Sequence, residues 1–282
     1  MSVGSHATAA PVRRPKSAKV ADDGSYHARS GRLELYLPPG FEPQAGRYDL
    51  VFHFHGLARA QEENTVRAHL NAAIVSINLG VASRRYGMAF VSPRAFDAIL
   101  ARTHRLVAAS GRANGAKVGR IALSAWSAGF ESVSAILKQD QARSGGPRVD
   151  AVLLADGLHA AFTDRKNRVV DERGLGKYAK LGEEAMRGER LFVLTHSSIP
   201  TQGYASVAET VGAMLRLLAV EKGPPPEASP RQMRAIYQVR RGDLLVTGFE
   251  GHGVSDHIDH IRAMGDTMYP LLAERWARRP AP

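Results

Sequence analysis

The stretch that decides the fold is Val118-Gly-Arg-Ile-Ala-Leu-Ser-Ala-Trp-Ser-Ala-Gly129. It begins with a largely apolar run, Val118 to Leu123, which is typical of a buried strand. A turn of small residues around Ser127 follows, and the segment from Ala128 to Lys138 has the pattern of a helix. A strand, a sharp turn and a helix in direct succession indicate a sheet whose faces are covered by helices.

The same alternation of strands and helices extends along the chain in both directions. Further strands are predicted at 33–37, 48–55, 73–79, 149–155 and 191–195, with a closely linked pair at 234–239 and 244–249. Further helices are predicted after Ser92-Pro93, at 178–187, at 207–220 and from about 255 to 278. This order predicts one α/β domain built on a doubly wound, mostly parallel sheet. In such sheets the functional residues gather at the carboxyl ends of the strands.

The first part of the chain has a different composition. Residues 1 to about 30 are rich in Ala, Ser, Pro and basic residues and have no apolar periodicity. They are predicted to form a disordered basic tail, followed by a single domain over residues 31–282.

Composition restricts the chemistry and the partners of the protein. The absence of cysteine excludes disulfides, thiolate metal sites and a cysteine nucleophile. The 38 Lys and Arg against 27 Asp and Glu give a formal charge of +11, which raises the question of an anionic partner. The basic residues are spread out and not interleaved with aromatic ones, so a solvated surface is favoured over nucleic-acid binding. The sequence leaves the oligomeric state open.

No stretch approaches the ~20 apolar residues that a membrane-spanning helix needs. The N-terminus also lacks the apolar core of a secretory signal. We therefore expect a soluble protein, either cytoplasmic or secreted after removal of a leader.

Ser127 is the candidate nucleophile. It lies in the pattern small-x-Ser-x-Gly, Ala125 to Gly129, between a strand and a helix. Such a turn holds the serine on a sharp, strained corner above a helix N-terminus. The amide of Ala128 would then point at the oxygen of a tetrahedral intermediate. The structural alternative is a serine that caps the helix without any role in catalysis.

A second motif, His53-Phe-His-Gly56, lies at the end of the strand predicted at 48–55. With it, the sequence resembles the α/β-hydrolase family over about residues 33–272, although Ala125 stands where the family pattern has Gly. The resemblance implies that Leu57 or Ala58 supplies the second amide of the oxyanion hole. A metal site at the two histidines is not favoured, because no nearby His or carboxylate pair completes a ligand set.

The general base has two candidates after the last apolar strand. The family order is Ser, acid, His, and His252 lies in the glycine-rich segment Phe249-Glu-Gly-His-Gly253. It is favoured over His257, although a histidine in the first turn of the following helix would also reach the site. His260, one turn further along, is predicted to be structural.

The acid is expected one strand earlier than the commonest family arrangement places it. The strand at 191–195 is followed by His196-Ser-Ser-Ile-Pro200, which contains no carboxylate, whereas the strand at 149–155 ends in Asp156. We therefore expect Asp156 to accept a hydrogen bond from the histidine and fix its tautomer. The structural alternative is a turn aspartate that caps its own loop.

The resemblance implies hydrolysis of small-molecule carboxylic esters through an acyl-enzyme, without a cofactor. The family often inserts a cap at the position of residues 157–190, so a small cap-like insertion is expected there. The pocket residues are expected to be His55, Trp126, His159, Tyr178 and Tyr204. The same triad serves peptidases, amidases, thioesterases and acyltransferases. The alternatives of other classes are a non-catalytic hydrolase fold that binds a ligand and an anion-binding protein.

Overall fold

The structure is a computed structural model that describes residues 17–140 and 148–279. Its strands are β1 (Lys19–Val20), β2 (Tyr26–Ser30), β3 (Leu33–Leu37), β4 (Arg47–Phe54), β5 (Ala73–Ile77), β6 (Lys117–Trp126), β7 (Val149–Ala155), β8 (Phe162–Asp164), β9 (Val169–Val170), β10 (Leu191–His196), β11 (Ala235–Arg241) and β12 (Leu244–Phe249). Its α-helices are α1 (Ala58–Arg67), α2 (Ser83–Ala89), α3 (Ala95–Ala109), α4 (Phe130–Asp140), α5 (Gly176–Met186), α6 (Val207–Leu217), α7 (Val254–Arg262), α8 (Met264–Thr267) and α9 (Tyr269–Arg278).

Ten of the described strands form one sheet in the order β1-β2-β3-β5-β4-β6-β7-β10-β12-β11. The six strands from β5 to β12 in this order run parallel, and the strands at the two edges run antiparallel to their neighbours. The strands β8 and β9 form a separate small hairpin. The predicted doubly wound, mostly parallel α/β sheet is confirmed.

Helices bury both faces of the sheet, as a parallel sheet requires. Along β4, Leu50, Phe52 and Phe54 face one core and Val51 faces the other. Helices α2 to α6 contribute to the first core, and α1, α7, α8 and α9 contribute to the second. The carboxyl ends of the parallel strands therefore meet at one edge of a rigid three-layer scaffold.

A buried arginine ties α9 to the sheet and to the loop before β12. The Arg275 guanidinium is 1 % exposed and donates to Asp150 at 2.8 Å, and it also bonds the Asp243 carboxylate. Two carboxylates compensate the charge of this cation, so removing the guanidinium would leave both without this cationic partner.

The N-terminal boundary of the domain differs from the prediction. Residues 17–30 were expected in the tail, yet they contain β1 and β2, and the remainder of the predicted tail lies outside the described residues. The reason is that β2 pairs with β3 along its whole length and buries Tyr26 and Ala28 in the core. Edge pairing of this kind leaves only a short apolar signal in the sequence.

Two further expectations are corrected. The single helix predicted from about 255 to 278 is divided into α7, α8 and α9 around Ala263 and Met268. Helix α5, expected in a cap-like insertion, is instead a crossover helix that packs Tyr178 and Leu181 into the core. Tyr178 stacks on Phe192 of β10, with ring centroids 6.3 Å apart, because the apolar face of α5 needs the sheet to cover it.

Candidate active site

Ser127 lies where the sequence places it, directly after β6. Its backbone has a φ of +49°, a left-handed conformation that is uncommon for a residue with a side chain. A single 3-10 turn, Ser127–Gly129, follows and continues into α4. The strained corner that the small residues predict is therefore present, and a helix begins immediately beneath the serine.

Two glycines allow this corner to pack tightly. A Cβ atom at Gly129 would lie 2.0 Å from the carbonyl oxygen of Phe54. A Cβ atom at Gly157 would lie 2.4 Å from the carbonyl oxygen and 2.6 Å from the nitrogen of Ser127. The neighbouring strand ends thus press against the serine turn from two sides, which fixes its backbone.

Asp156 ends β7 and is almost completely buried, with 2 % of its surface exposed. The backbone N–H and the hydroxyl of Ser197 both donate to its carboxylate at 2.8 Å. The His257 ring places Nδ1 2.7 Å from Oδ2 of the same carboxylate. Burial by itself would raise the pKa of Asp156, but the hydrogen bond from His257 and the nearby histidines hold it well below the ordinary range.

The histidine that the structure brings to Asp156 is His257, whereas His252 had been favoured. His257 lies in the first turn of α7, and its side chain is 25 % exposed. The side chain of His252 is exposed. The backbone N–H groups of His252 and Gly253 donate to the Asp256 carboxylate, which fixes the start of α7. This cap orients α7 so that its first turn, and not the preceding loop, faces Asp156.

The Trp126 ring supports His257. It stacks on the His257 ring with centroids 4.6 Å apart, and on the His55 ring with centroids 5.0 Å apart. Its indole N–H also donates to the backbone carbonyl of His257 at 2.9 Å. His55 is in turn held by a contact of 2.9 Å between Nδ1 and the Tyr86 hydroxyl. Trp126 thus packs on His257, and His55 packs on Trp126. Neither of these two predicted pocket residues lines the cavity that contains Ser127.

His53 holds the turn that leads to the predicted oxyanion residues. Its ring lies 2.9 Å from the Ser124 hydroxyl through Nδ1 and donates from Nε2 to the carbonyl of His55 at 2.7 Å. Burial lowers the pKa of His53 to about 3, so the ring is neutral at ordinary pH. His55 and Gly56 then adopt φ values of +73° and +103°, which turn the chain into α1.

The two predicted donors of the second oxyanion amide stand at the start of α1. Leu57 occupies the N-cap position and Ala58 is the first residue of the helix. The first N–H groups of a helix have no partner within the helix. No hydrogen-bond partner is found for either amide among the described residues, and their assignment to the oxyanion hole stays a prediction.

Two residues near Asp156 complete the surroundings. His260, predicted to be structural, is buried and lies 2.9 Å from the Thr195 hydroxyl through Nδ1, and burial lowers its pKa to about 4. Ser197 was not identified from the sequence, although it supplies two of the hydrogen bonds to Asp156. The sequence feature that indicates this role is the position of Ser197 directly after β10, because β10 pairs with β7, the strand that ends at Asp156.

A cavity of about 280 Å³ opens above these strand ends. It brings together the predicted residues Ser127, Asp156, His159, Tyr204 and the alternative base His257. Its other lining residues are Ser197, Ile199, Thr201, Val207, Gly253 and Val254. Among the residues that the structure describes, no lysine or arginine lines it, so the space suits a small uncharged group.

Neither a metal cluster nor a membrane span occurs in the parts of the chain that the structure describes. Within residues 17–140 and 148–279, no group of three or more His, Asp and Glu side chains is arranged to hold a metal ion. No helix in these ranges is long and apolar enough to cross a bilayer.

The chain order of the site residues resembles the pattern of α/β-hydrolases: a strained serine between β6 and α4, then an aspartate at the end of β7 and a histidine in the first turn of α7. The described part of the chain has the doubly wound, mostly parallel sheet that this resemblance implies. No protein-family model matches the sequence, and no curated protein matches it significantly.

Solved structures with a similar fold include several hydrolases. One is a poly(3-hydroxybutyrate) depolymerase from Bordetella parapertussis, with 17 % identity, a TM-score of 0.46, and coverage of 94 % of this chain and 90 % of the other. Another is an S-formylglutathione hydrolase from Agrobacterium tumefaciens, with 14 % identity, a TM-score of 0.48, and coverage of 93 % and 99 %. A third is a glucuronoyl esterase from Solibacter usitatus, with 10 % identity, a TM-score of 0.44, and coverage of 96 % and 88 %.

Proposed function

We propose that this protein hydrolyses carboxylic esters through Ser127, His257 and Asp156. The observation that carries the proposal is the 2.7 Å hydrogen bond between His257 Nδ1 and Asp156 Oδ2, beside Ser127 in one cavity. An ionised carboxylate accepts hydrogen bonds and cannot donate them, so the proton of this bond lies on Nδ1. Nε2 of a neutral His257 is then unprotonated and free to act as a base.

The proposed reaction has two stages. Nε2 of His257 accepts the proton of the Ser127 hydroxyl while the serine oxygen attacks the ester carbonyl. The imidazolium then protonates the departing alcohol, and Asp156 stabilises the imidazolium throughout. In the second stage His257 deprotonates a water molecule, which attacks the carbonyl of the acyl-enzyme. The bond from the acyl group to Ser127 Oγ then breaks, the imidazolium returns the proton to Oγ, and the acid is released. Each proton removed by Nε2 is returned within the same stage, so the enzyme is regenerated.

The negative charge of the tetrahedral intermediate needs preorganised donors. The amide of Ala128, in the turn directly after Ser127, is proposed as one donor. The amide of Leu57 or Ala58, at the start of α1, is proposed as the other. Loss of one such donor typically slows catalysis by about 10² to 10³.

A matched pair of histidine variants tests the proposal. We expect His257→Ala to lower kcat for p-nitrophenyl acetate by about 10³-fold or more, because the base is lost. His252→Ala should keep the parental kcat, since the side chain of His252 is exposed and lies outside the proposed machinery. A burst of p-nitrophenol equal to the enzyme concentration would report the acyl-enzyme. Equal activity of the two variants, or no turnover of any ester by the folded parent, would refute the proposal.

A further inference from the structure

His159 is a cavity residue for which the proposed mechanism has no use. It follows β7 closely, three residues after Asp156, and its ring lines the same cavity as Ser127. Two aromatic rings pack against it in edge-to-face geometry. The Phe130 centroid lies 5.7 Å away at 69°, and the Tyr204 centroid lies 4.9 Å away at 85°. The orientation of the imidazole is therefore fixed before any ligand binds.

The hydrogen bond of His159 to the backbone determines its tautomer. Nδ1 lies 3.1 Å from the carbonyl oxygen of Ala205. A carbonyl oxygen only accepts hydrogen bonds, so Nδ1 carries the proton. Ala205 itself is anchored, because its N–H donates to the carbonyl of Ala160 at 2.9 Å. In the neutral ring, Nε2 is consequently an acceptor with a free lone pair.

The surroundings keep the ring neutral and leave this acceptor accessible. Burial lowers the pKa of His159, against the opposing effects of the Ala205 carbonyl and the Asp156 carboxylate. Among the described residues no hydrogen-bond partner is found for Nε2 of His159. The buried polar atoms of the described chain that lack a hydrogen-bond partner include Nε2 of His260 but not Nε2 of His159. Nε2 of His159 is therefore open to a ligand in the cavity.

We propose that His159 selects uncharged substrates that carry a hydroxyl group on the part bound in this cavity. This inference rests on the proposed function and adds the substrate class. A hydroxyl would donate to Nε2, whereas the corresponding alkyl group would leave that acceptor without a partner. A carboxylate is disfavoured, because Asp156 contributes a buried negative charge and no described lysine or arginine lines the cavity. The hydroxyl belongs to either the acyl or the alcohol portion, and the test distinguishes the two.

Matched ester pairs test the selection. For the acyl portion, kcat/KM is measured for p-nitrophenyl esters of 2-hydroxybutyrate and 3-hydroxybutyrate against butyrate. For the alcohol portion, 3-hydroxybutyl acetate is compared with butyl acetate. In one of these comparisons we expect a preference of about 10-fold for the hydroxylated ester. A methoxy analogue, which cannot donate a hydrogen bond, should lose that preference.

Two variants of His159 assign the preference to this residue. His159→Phe keeps a ring but removes the acceptor, so the ratio of the two kcat/KM values should fall to about 1. His159→Gln keeps an acceptor and should retain a higher ratio than the Phe variant. A ratio does not depend on the fraction of active enzyme, so partial misfolding of a variant does not affect it. A parent without preference in both comparisons, or a preference unchanged in His159→Phe, would overturn the inference while leaving ester hydrolysis intact. Failure to hydrolyse any ester would overturn the proposed function and this inference with it.

Discussion

The close approach of Gly157 to Ser127 leads to a prediction that depends on the geometry of the serine turn. In Gly157→Ala, the new Cβ atom would lie 2.4 Å from the carbonyl oxygen of Ser127, about 1 Å short of ordinary van der Waals contact. The clashing atoms belong to the backbone, so a side-chain rotation cannot relieve the overlap. Overpacking of this kind costs about 1–3 kcal/mol of folding stability. A displacement of about 1 Å at a reacting group costs about 100-fold in rate.

The assay compares Gly157→Ala with Gly176→Ala. A Cβ atom at Gly176, the first residue of α5, would meet nothing within 4 Å, so this variant should keep parental stability and activity. We expect Gly157→Ala to lose about 100-fold in kcat for p-nitrophenyl acetate and to unfold at lower urea concentration. Parental kcat in Gly157→Ala, together with reduced stability, would show that the position of Ser127 does not matter to the reaction and would refute the reasoning.

Four further perturbations follow from the contacts of the site and the core. Asp156→Asn should lower kcat by about 10⁴, because the amide no longer favours the tautomer with the proton on Nδ1 of His257; parental steady-state rates would contradict this. The pKa of Asp156 is lower in the folded protein than in the unfolded chain, where it is about 4, so the ionised carboxylate stabilises the fold fully above pH ~4. This contribution is lost as the pH falls through the lower pKa of the folded protein. Urea unfolding between pH 6 and pH 2 should therefore show a smaller loss of stability in Asp156→Asn than in the parent, and equal losses would count against it. Trp126→Phe removes the N–H that donates to the carbonyl of His257, so kcat should fall by about 10-fold with little change in KM. A change confined to KM would instead assign Trp126 to substrate binding. Arg275→Ala should destabilise the fold by about 3–5 kcal/mol in urea unfolding, because Asp150 loses its buried partner, and a loss below 1 kcal/mol would contradict the account of this ion pair.

The sheet could be predicted because its central strands are apolar on both faces and are separated by amphipathic helices. The strand predicted at 149–155 coincides with β7, since an apolar run ending in Asp-Gly has a clear boundary. Helix α1 was missed because its buried residues, Gln61, Asn64 and Thr65, are polar and give no apolar periodicity. The partners of Gln61 and Asn64 are more than 190 residues away, such as the carbonyl of Ile261 for Asn64.

The candidate site shows the same division between local and tertiary information. The strained conformation of Ser127 and the position of Asp156 follow from patterns a few residues long. The choice between His252 and His257 depends on how α7 approaches β7, which the Asp256 cap determines and which no local pattern reports. Helix α5 was assigned to the cap-like insertion for a related reason, because polar composition hid its apolar face.

Fluorophosphonate labelling followed by peptide mapping tests the central claim most directly. We expect one adduct on the parent protein, located on Ser127, because this hydroxyl is proposed to lie beside an unprotonated imidazole nitrogen in the open cavity. The Ser124 hydroxyl, which contacts Nδ1 of His53, is completely buried and outside the reach of the probe. Labelling should be absent in Ser127→Ala, slowed by several orders of magnitude in His257→Ala, and unchanged in His252→Ala. A folded parent protein without an adduct on Ser127, or with the adduct on another residue, would contradict the account.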